Sequence, residues 1–144
     1  MNRPKQIIVH HSATKDSGTV SWGAIRKYHV ETNGWRDIGY HAGIEQVGQH
    51  FECMVGRDVK DIGAHCEGHN QNALGFCFVG DYDFDSPPVD MLVMAVDKVL
   101  VPWCKRFGIK ADGIAAHRDY SPKTCPGNRF DVELLKDMIR ERLK

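Results

Sequence analysis

The chain has 144 residues, of which 42% are hydrophobic and 26% are charged, as is usual for a water-soluble globular protein. Lysine plus arginine and aspartate plus glutamate number 19 each, so the net charge excludes a strong electrostatic attraction to nucleic acid. The five cysteines are odd in number and include no Cys-x-x-Cys pair, so neither a disulfide framework nor a compact zinc knuckle is indicated. This length suits one hydrophobic core, and we expect a single domain spanning residues 1–144.

Neither end of the chain predicts insertion into a membrane. The N-terminus is basic but has no apolar run of seven or more residues, and no later segment approaches 18. We therefore expect no signal peptide and synthesis in the cytoplasm. The basic segment Ile139–Lys144 is explained by a helix that packs its apolar stripe on the core, so we expect no stable membrane association. We expect a monomer.

The first third of the chain predicts a strand, a helix and a hairpin. Gln6–His11 is short, apolar and rich in β-branched residues, which predicts a strand, and the polar stretch Ser12–Thr19 predicts a turn. Ser21 is a candidate helix N-cap, and Asn33-Gly34 is a stop signal. The apolar positions of this helix are Trp22, Ile25, Tyr28 and His29. Two extended segments, Tyr40–Val47 and His50–Val55, flank a Gly-containing turn and predict a β-hairpin.

The rest of the chain alternates between strands and helices. Ala73–Val79 is a continuous apolar run, as in a strand buried on both faces, and Ile114–His117 predicts another strand. An amphipathic helix is predicted from Leu92 to Phe107, ended by Gly108, and Asp131 is expected to cap a last helix. The expected buried stripe of that helix is Leu134, Leu135, Met138, Ile139 and Leu143. This order predicts an α/β fold in which a central mixed β-sheet is flanked by helices in a single three-layer domain.

Three possible zinc ligands lie at or near strand ends. His10 and His117 close predicted strands, and Cys125 follows in a Pro-bounded loop that can fold back towards His117. A catalytic zinc takes three ligands from His, Cys and carboxylate and keeps a fourth position for water. Spacing alone also allows a purely structural interpretation, in which His10 is a core histidine and Cys125 is a buried thiol.

Five sequence blocks carry a resemblance to a known family. The blocks are Val9–Thr14, Gly39–Ile44, Gly63–Asn70, Leu74–Gly80 and Ala116–Gly127. Together, and in this order, they resemble the zinc-dependent N-acetylmuramoyl-L-alanine amidases of type 2. Within that family the resemblance is to phage lysozymes of amidase type and to peptidoglycan recognition proteins.

The resemblance implies a ligand set, one zinc ion per chain and a reaction. It makes His10, His117 and Cys125 the zinc ligands, Tyr40 the catalytic tyrosine and Lys123 a residue that stabilises the oxyanion. The bond cut would join N-acetylmuramic acid to L-alanine in peptidoglycan. Packing of Tyr40 and a solvated Lys123 are the alternatives. No His-Glu-x-x-His motif occurs, so the general base stays open.

Other polar residues are assigned by their position in the sequence. By position in the family blocks, His65 and Asn72 are expected to bind substrate. Alternation along the strand points His11 to the opposite face from His10, and the same argument excludes His41 from the site if Tyr40 faces it. The other histidines, His29, His50 and His69, are expected to be surface or packing residues.

The leading functional hypothesis is a phage or prophage endolysin that reaches the periplasmic cell wall after release from the cytoplasm. One alternative is a non-catalytic peptidoglycan-binding module, although family members that only bind commonly lack the cysteine that matches Cys125. A second is a cytoplasmic muropeptide-recycling amidase, a branch in which Asp replaces that cysteine. A third is a metal-free hydrolase with Cys125 as nucleophile and His117 as base.

Overall fold

The computed structural model describes residues 1–13 and 21–144, and its centre is one twisted β-sheet. In the described residues the sheet has five strands in the order β3-β2-β4-β1-β5. They are β1 (Gln6–His11), β2 (Ala42–Val47), β3 (His50–Val55), β4 (Ala73–Phe78) and β5 (Ile114–Ala116). β4 pairs in parallel with both β1 and β2, β1 pairs in parallel with β5, and β2 and β3 form an antiparallel hairpin. The predicted mixed sheet is confirmed.

The helices end where the sequence predicts. Helix α1 (Ser21–Lys27) continues as a π-helical turn to Thr32, just before Gly34 at φ 73°. The helix predicted over 92–107 comprises α2 (Val89–Ala95), a π-helical turn and α3 (Val101–Phe107). It stops at Gly108, whose left-handed conformation glycine adopts without strain. The predicted turn at 12–19 lies mostly outside the described residues. The backbone of Ser21 is described but its side chain is not, so the predicted cap at Ser21 stays a prediction.

The last helix, α4 (Val132–Arg142), has the predicted cap but a narrower buried face than predicted. The Asp131 carboxylate accepts a hydrogen bond from the Leu134 backbone N–H at 3.0 Å. Leu135 and Ile139 are fully buried, whereas Leu134 is 42% exposed, so its predicted burial is wrong. Successive helical residues point about 100° apart, and Leu134 therefore lies beside the face that Leu135 and Ile139 define.

Helices cover the sheet on both faces, which confirms the three layers. Helices α2, α3 and α4 form the main core with side chains from alternate strand positions, including Leu74, Phe76 and Phe78. On the other face, Trp22 of α1 packs with Cys77 in a smaller cluster. All six residues of β4 are buried, as expected for a central strand. Among the described residues, no helix combines the length and the apolar character needed to cross a bilayer.

Candidate metal centre

Two parallel strands and one loop bring His10, His117 and Cys125 together on the sheet face that carries α1. His10 is the penultimate residue of β1, His117 directly follows the adjacent β5, and Cys125 returns in the next loop. The possible ligand atoms of all three lie within 4.8 Å of one another, with His10 Nδ1 3.9 Å from Cys125 Sγ. In the described part of the chain, this is the one histidine, cysteine or carboxylate cluster with the spacing of a metal site.

The chemistry of this cluster fits zinc. Zinc bonds of about 2.1 Å to nitrogen and 2.3 Å to sulfur place tetrahedral ligand atoms about 3.5 Å apart, so a small closure would suffice. Burial lowers the pKa of His10 and of His117, which keeps both imidazoles neutral and able to coordinate at neutral pH. Burial raises the pKa of the Cys125 thiol to about 11, so its proton must leave when a cation binds.

Backbone and side-chain hydrogen bonds hold the Cys125 sulfur in place. The His11 backbone N–H lies 3.3 Å from Cys125 Sγ and donates to it. The Arg118 backbone N–H donates to the Cys125 carbonyl at 2.7 Å, and its guanidinium donates to the Gly127 carbonyl at 2.7 Å. Arg118 lies in one of the recognised sequence blocks, but its reach across this loop was not predicted.

The carboxylate of Asp83, on another loop, bridges two residues of the loop that carries Cys125. The two Asp83 oxygens accept hydrogen bonds from Thr124 Oγ1 at 2.9 Å and from the Asn128 backbone N–H at 2.8 Å. These bonds hold the pKa of Asp83 below its usual value, the backbone bond contributing most. Residues 124 and 128 flank Cys125, so Asp83 fixes both ends of the loop that carries Cys125. Asp83 was not predicted from the sequence, because no local pattern links two loops more than 40 residues apart.

The structure brings Tyr40 and Lys123 to the metal cluster. Both line a hollow of about 430 Å³ around His10, His117 and Cys125. The Tyr40 ring lies 5.1 Å from the His10 ring, and its hydroxyl bonds to the Cys77 sulfur. Burial raises the pKa of Tyr40 well above its ordinary value, so the phenol keeps its proton. Lys123 is exposed at the rim, and its positive charge helps to lower the pKa of His117, after burial.

Of the two residues assigned to substrate binding, the structure places one beside the cluster and the other elsewhere. His65 lines the hollow, and its Nδ1 lies 2.9 Å from His10 Nε2. Asn72 precedes β4 with φ 61°, and its backbone N–H donates to Asn2 Oδ1. Asn72 is not among the described residues that line the metal hollow or the groove beside it. Both assignments stay predictions.

The remaining histidines lie outside the ligand cluster. His11 points to the opposite face from His10, where its Nδ1 accepts a hydrogen bond from the Tyr82 backbone N–H at 3.1 Å. His41 accepts from the Gly75 backbone N–H and donates to the Asp61 carbonyl. His50 pairs with Glu52, and His69 stacks on Tyr120. His29 packs against Trp35 and lines the neighbouring groove.

A groove of about 690 Å³ opens directly beside the metal cluster. It shares Tyr40, His65, His117 and Lys123 with the metal hollow. Its other described lining includes His29, Trp35, Glu67, Asn70 and Tyr120. Asn70 shapes the groove wall, because its side-chain oxygen accepts the backbone N–H groups of His65 and Cys66, each at 2.8 Å. The residues Trp35, Glu67 and Tyr120 were not singled out from the sequence.

Known proteins are similar to this chain in both sequence and fold. The endolysin of Enterobacteria phage T3 is 36% identical over 131 residues, which cover 88% of this chain and 82% of that protein. The solved amidase LysCS from Clostridium intestinale URNW, an endolysin, superposes with a TM-score of 0.80 at 23% identity, over 96% of this chain and 84% of that one.

A third comparison is with a peptidoglycan recognition protein. Peptidoglycan recognition protein LE, solved with tracheal cytotoxin, a monomeric diaminopimelic acid-type peptidoglycan, has a TM-score of 0.75 at 25% identity. The superposition covers 93% of this chain and 80% of that one. At the level of families, the pattern of the N-acetylmuramoyl-L-alanine amidases matches residues 1–128. With nearly the whole fold and the ligand cluster inside that match, the chain belongs to the N-acetylmuramoyl-L-alanine amidase family.

Proposed function

We propose that the chain is a zinc-dependent phage or prophage endolysin that cleaves the amide bond between N-acetylmuramic acid and L-alanine in peptidoglycan. The convergence of His10, His117 and Cys125 beside an open groove carries the proposal. The match to the amidase family and the identity to a phage endolysin support the same reaction. We propose one zinc per chain, a monomer, and release from the cytoplasm to the cell wall.

The residues around the cluster have complementary roles in amide hydrolysis. Bound zinc would lower the pKa of a water molecule and polarise the substrate carbonyl. The Lys123 ammonium, at the rim shared by hollow and groove, is placed to stabilise negative charge that develops on the carbonyl oxygen. The Tyr40 phenol keeps its proton, so it would orient the reacting groups as a hydrogen-bond donor once it exchanges Cys77 for them. Neutral His10 and His117 keep their nitrogen lone pairs for the metal.

The groove is the proposed site for the stem peptide. It reaches the metal cluster through Tyr40 and His117, so a peptide lying in it brings its first amide to the ligands. Aromatic walls from Trp35 and Tyr120 offer apolar contact, and Glu67 and Lys123 offer charge of both signs. Such a lining suits a short peptide that carries both amino and carboxyl groups.

The decisive experiment measures metal, bond cleavage and substrate form together. We expect about one zinc per chain by atomic absorption and new L-alanine amino termini in digested peptidoglycan, abolished by a chelator and restored by zinc. Activity in the metal-free protein would instead support the thiol nucleophile. Bound zinc without new amino termini would support a binding module. Cleavage of soluble muropeptides but not of intact cell wall would support a recycling amidase.

A further inference from the structure

The ring of His65 contacts the nitrogen of His10 that faces away from the ligand cluster. His10 Nε2 and His65 Nδ1 are 2.9 Å apart, while His10 Nδ1 lies on the cluster side, 3.9 Å from Cys125 Sγ. A neutral imidazole has one protonated nitrogen and one lone pair. His10 can offer a lone pair at Nδ1 only when its proton is on Nε2, and that N–H then needs an acceptor. His65 Nδ1 is the acceptor in reach.

The surroundings of His65 fix its ring in this position. A Cβ atom added at Gly75 would lie 2.5 Å from the ring, and one at Gly63 would lie 2.7 Å from it. These two glycines therefore leave space that the imidazole fills. His41 packs against the ring edge-on, with centroids 5.8 Å apart, and the Asn70 side chain accepts the His65 backbone N–H. Contacts with the sheet at Gly75, with the His41 ring and through its own backbone N–H therefore fix the position of the His65 ring.

The same surroundings argue against a hydrogen bond from His65 to substrate. Its Nδ1 is engaged with His10, and its Nε2 is buried without a partner in the described residues. Neither ring nitrogen is therefore available to a peptide in the groove. The sequence-based assignment of His65 to substrate binding therefore has no polar atom to support it.

We propose that His65 is a positioning residue that holds His10 in the tautomer and orientation in which Nδ1 can bind the metal. This inference rests on the proposed zinc site. Groups that accept the second N–H of a metal-bound histidine typically contribute 10- to 100-fold to metal affinity. The reverse hydrogen bond, from His65 to His10, would place the His10 proton on Nδ1 and block coordination. His65 in its accepting form therefore prepares the site for the metal.

Three substitutions at one position test the acceptor directly. In His65→Asn the amide oxygen can occupy the place of Nδ1, so the acceptor is kept. In His65→Gln the amide reaches the place of Nε2 instead, and His65→Leu has no acceptor. We expect zinc affinity to fall about 10- to 100-fold in the Gln and Leu variants. The Asn variant should stay within a few-fold of the unaltered chain. His50→Leu, on the far strand β3, should leave zinc affinity unchanged.

The measurements are competition for zinc with a chromophoric chelator and the absorption spectrum of the cobalt-substituted protein. Weaker binding and altered cobalt bands in His65→Gln, with near-normal values in His65→Asn, would support the inference even if His65→Leu does not fold. Equal zinc affinity in all three variants, with a raised KM for peptidoglycan, would overturn it and restore substrate binding. If the unaltered chain binds no zinc, the proposed function fails as well, so the two failures are distinguishable.

Discussion

The two faces of the central sheet are built from the same strands but from different kinds of side chain. On β4, Leu74, Phe76 and Phe78 point into the core formed with α2, α3 and α4. Between them, Gly75 and Cys77 point to the face that carries the metal cluster. On β1 the same alternation separates Val9, in the helix-covered core, from His10. One face is filled with large apolar groups, whereas the other combines small residues and imidazoles with a few apolar side chains such as Trp22 and Ile8.

This difference separates stability from chemistry. The core face removes large apolar surfaces from water, which is the main source of folding free energy. On the site face, missing side-chain volume makes room for rings: a Cβ at Gly75 would meet His65, and one at Gly43 would lie 2.3 Å from Trp22. We therefore expect substitutions on the core face to lower the free energy of unfolding, and substitutions on the site face to lower metal affinity or rate.

The largest expected effect on the site face is that of Cys125→Ser. A serine hydroxyl is a much poorer zinc ligand than a thiolate, so zinc affinity should fall by more than the roughly 100-fold of an outer contact, and cell-wall hydrolysis should disappear. Without metal, the Cys125→Ser variant and the unaltered chain should unfold at nearly the same temperature. Zinc titration, turbidity of cell-wall suspensions and thermal unfolding test this. A variant that keeps its zinc would show that Cys125 is not a ligand.

On the core face, Phe76→Ala should lower the free energy of unfolding and leave zinc affinity unchanged. Phe76 is fully buried between Phe78 and Trp103, and removing such a ring typically lowers the free energy of unfolding by about 3–5 kcal/mol. The folded fraction should still bind zinc with unchanged affinity. Phe84→Ala is the control, because Phe84 is 74% exposed and its loss should change stability by less than about 0.5 kcal/mol. Denaturant titration measures both, and a Phe76 variant that loses zinc before it unfolds would break the separation.

Lys123→Ala separates rate from metal binding within the site face. If the ammonium stabilises the oxyanion, its loss should lower kcat about 10²- to 10³-fold. Zinc content should be unchanged, because Lys123 is exposed at the rim and is not in the ligand cluster. Lys105→Ala, on the exposed side of α3, should leave kcat unchanged. Loss of zinc from the Lys123 variant, or an unchanged kcat, would contradict this role.

Local patterns in the sequence predict most of the fold. The continuous apolar run of β4, the stop at Gly108 and the cap at Asp131 depend on neighbouring residues, and the structure confirms all three. Leu134 shows the limit of such patterns, because a wide apolar stripe does not say which of its edges faces water. The central residues Leu135 and Ile139 are buried, and the edge residue is not.

Contacts between distant loops could not be predicted. The placement of His10, His117 and Cys125 followed from recognised blocks, but the His10–His65 hydrogen bond joins residues 55 positions apart. Such a contact depends on the path of the chain between elements, and no periodicity records that path. Asp83 is a second example, because its partners Thr124 and Asn128 lie on another loop.

The smallest expected effect is that of Asp83→Asn. Its two hydrogen bonds hold the pKa of Asp83 below its unfolded value, so the ionised carboxylate stabilises the fold above that unfolded value, about 4. This contribution is lost as the pH falls through the folded pKa. Because Asp83 is only partly buried, solvent screens the interaction, and we expect only a small decrease in the unfolding temperature at pH 7.

The pH dependence of this decrease identifies its cause. The difference between the metal-free Asp83→Asn variant and the metal-free unaltered chain should stay constant from pH 7 down to about 4. It should shrink as the pH falls further through the folded pKa, because the native carboxyl becomes protonated and loses its charge-assisted bonds. Asp85→Asn, in the same exposed loop, serves as the control for removing one negative charge. A difference that stays constant with pH would show that the Asp83 carboxylate does not anchor the Cys125 loop. The Cys125 loop would then depend on its other hydrogen bonds, among them those with Arg118 and the His11 backbone.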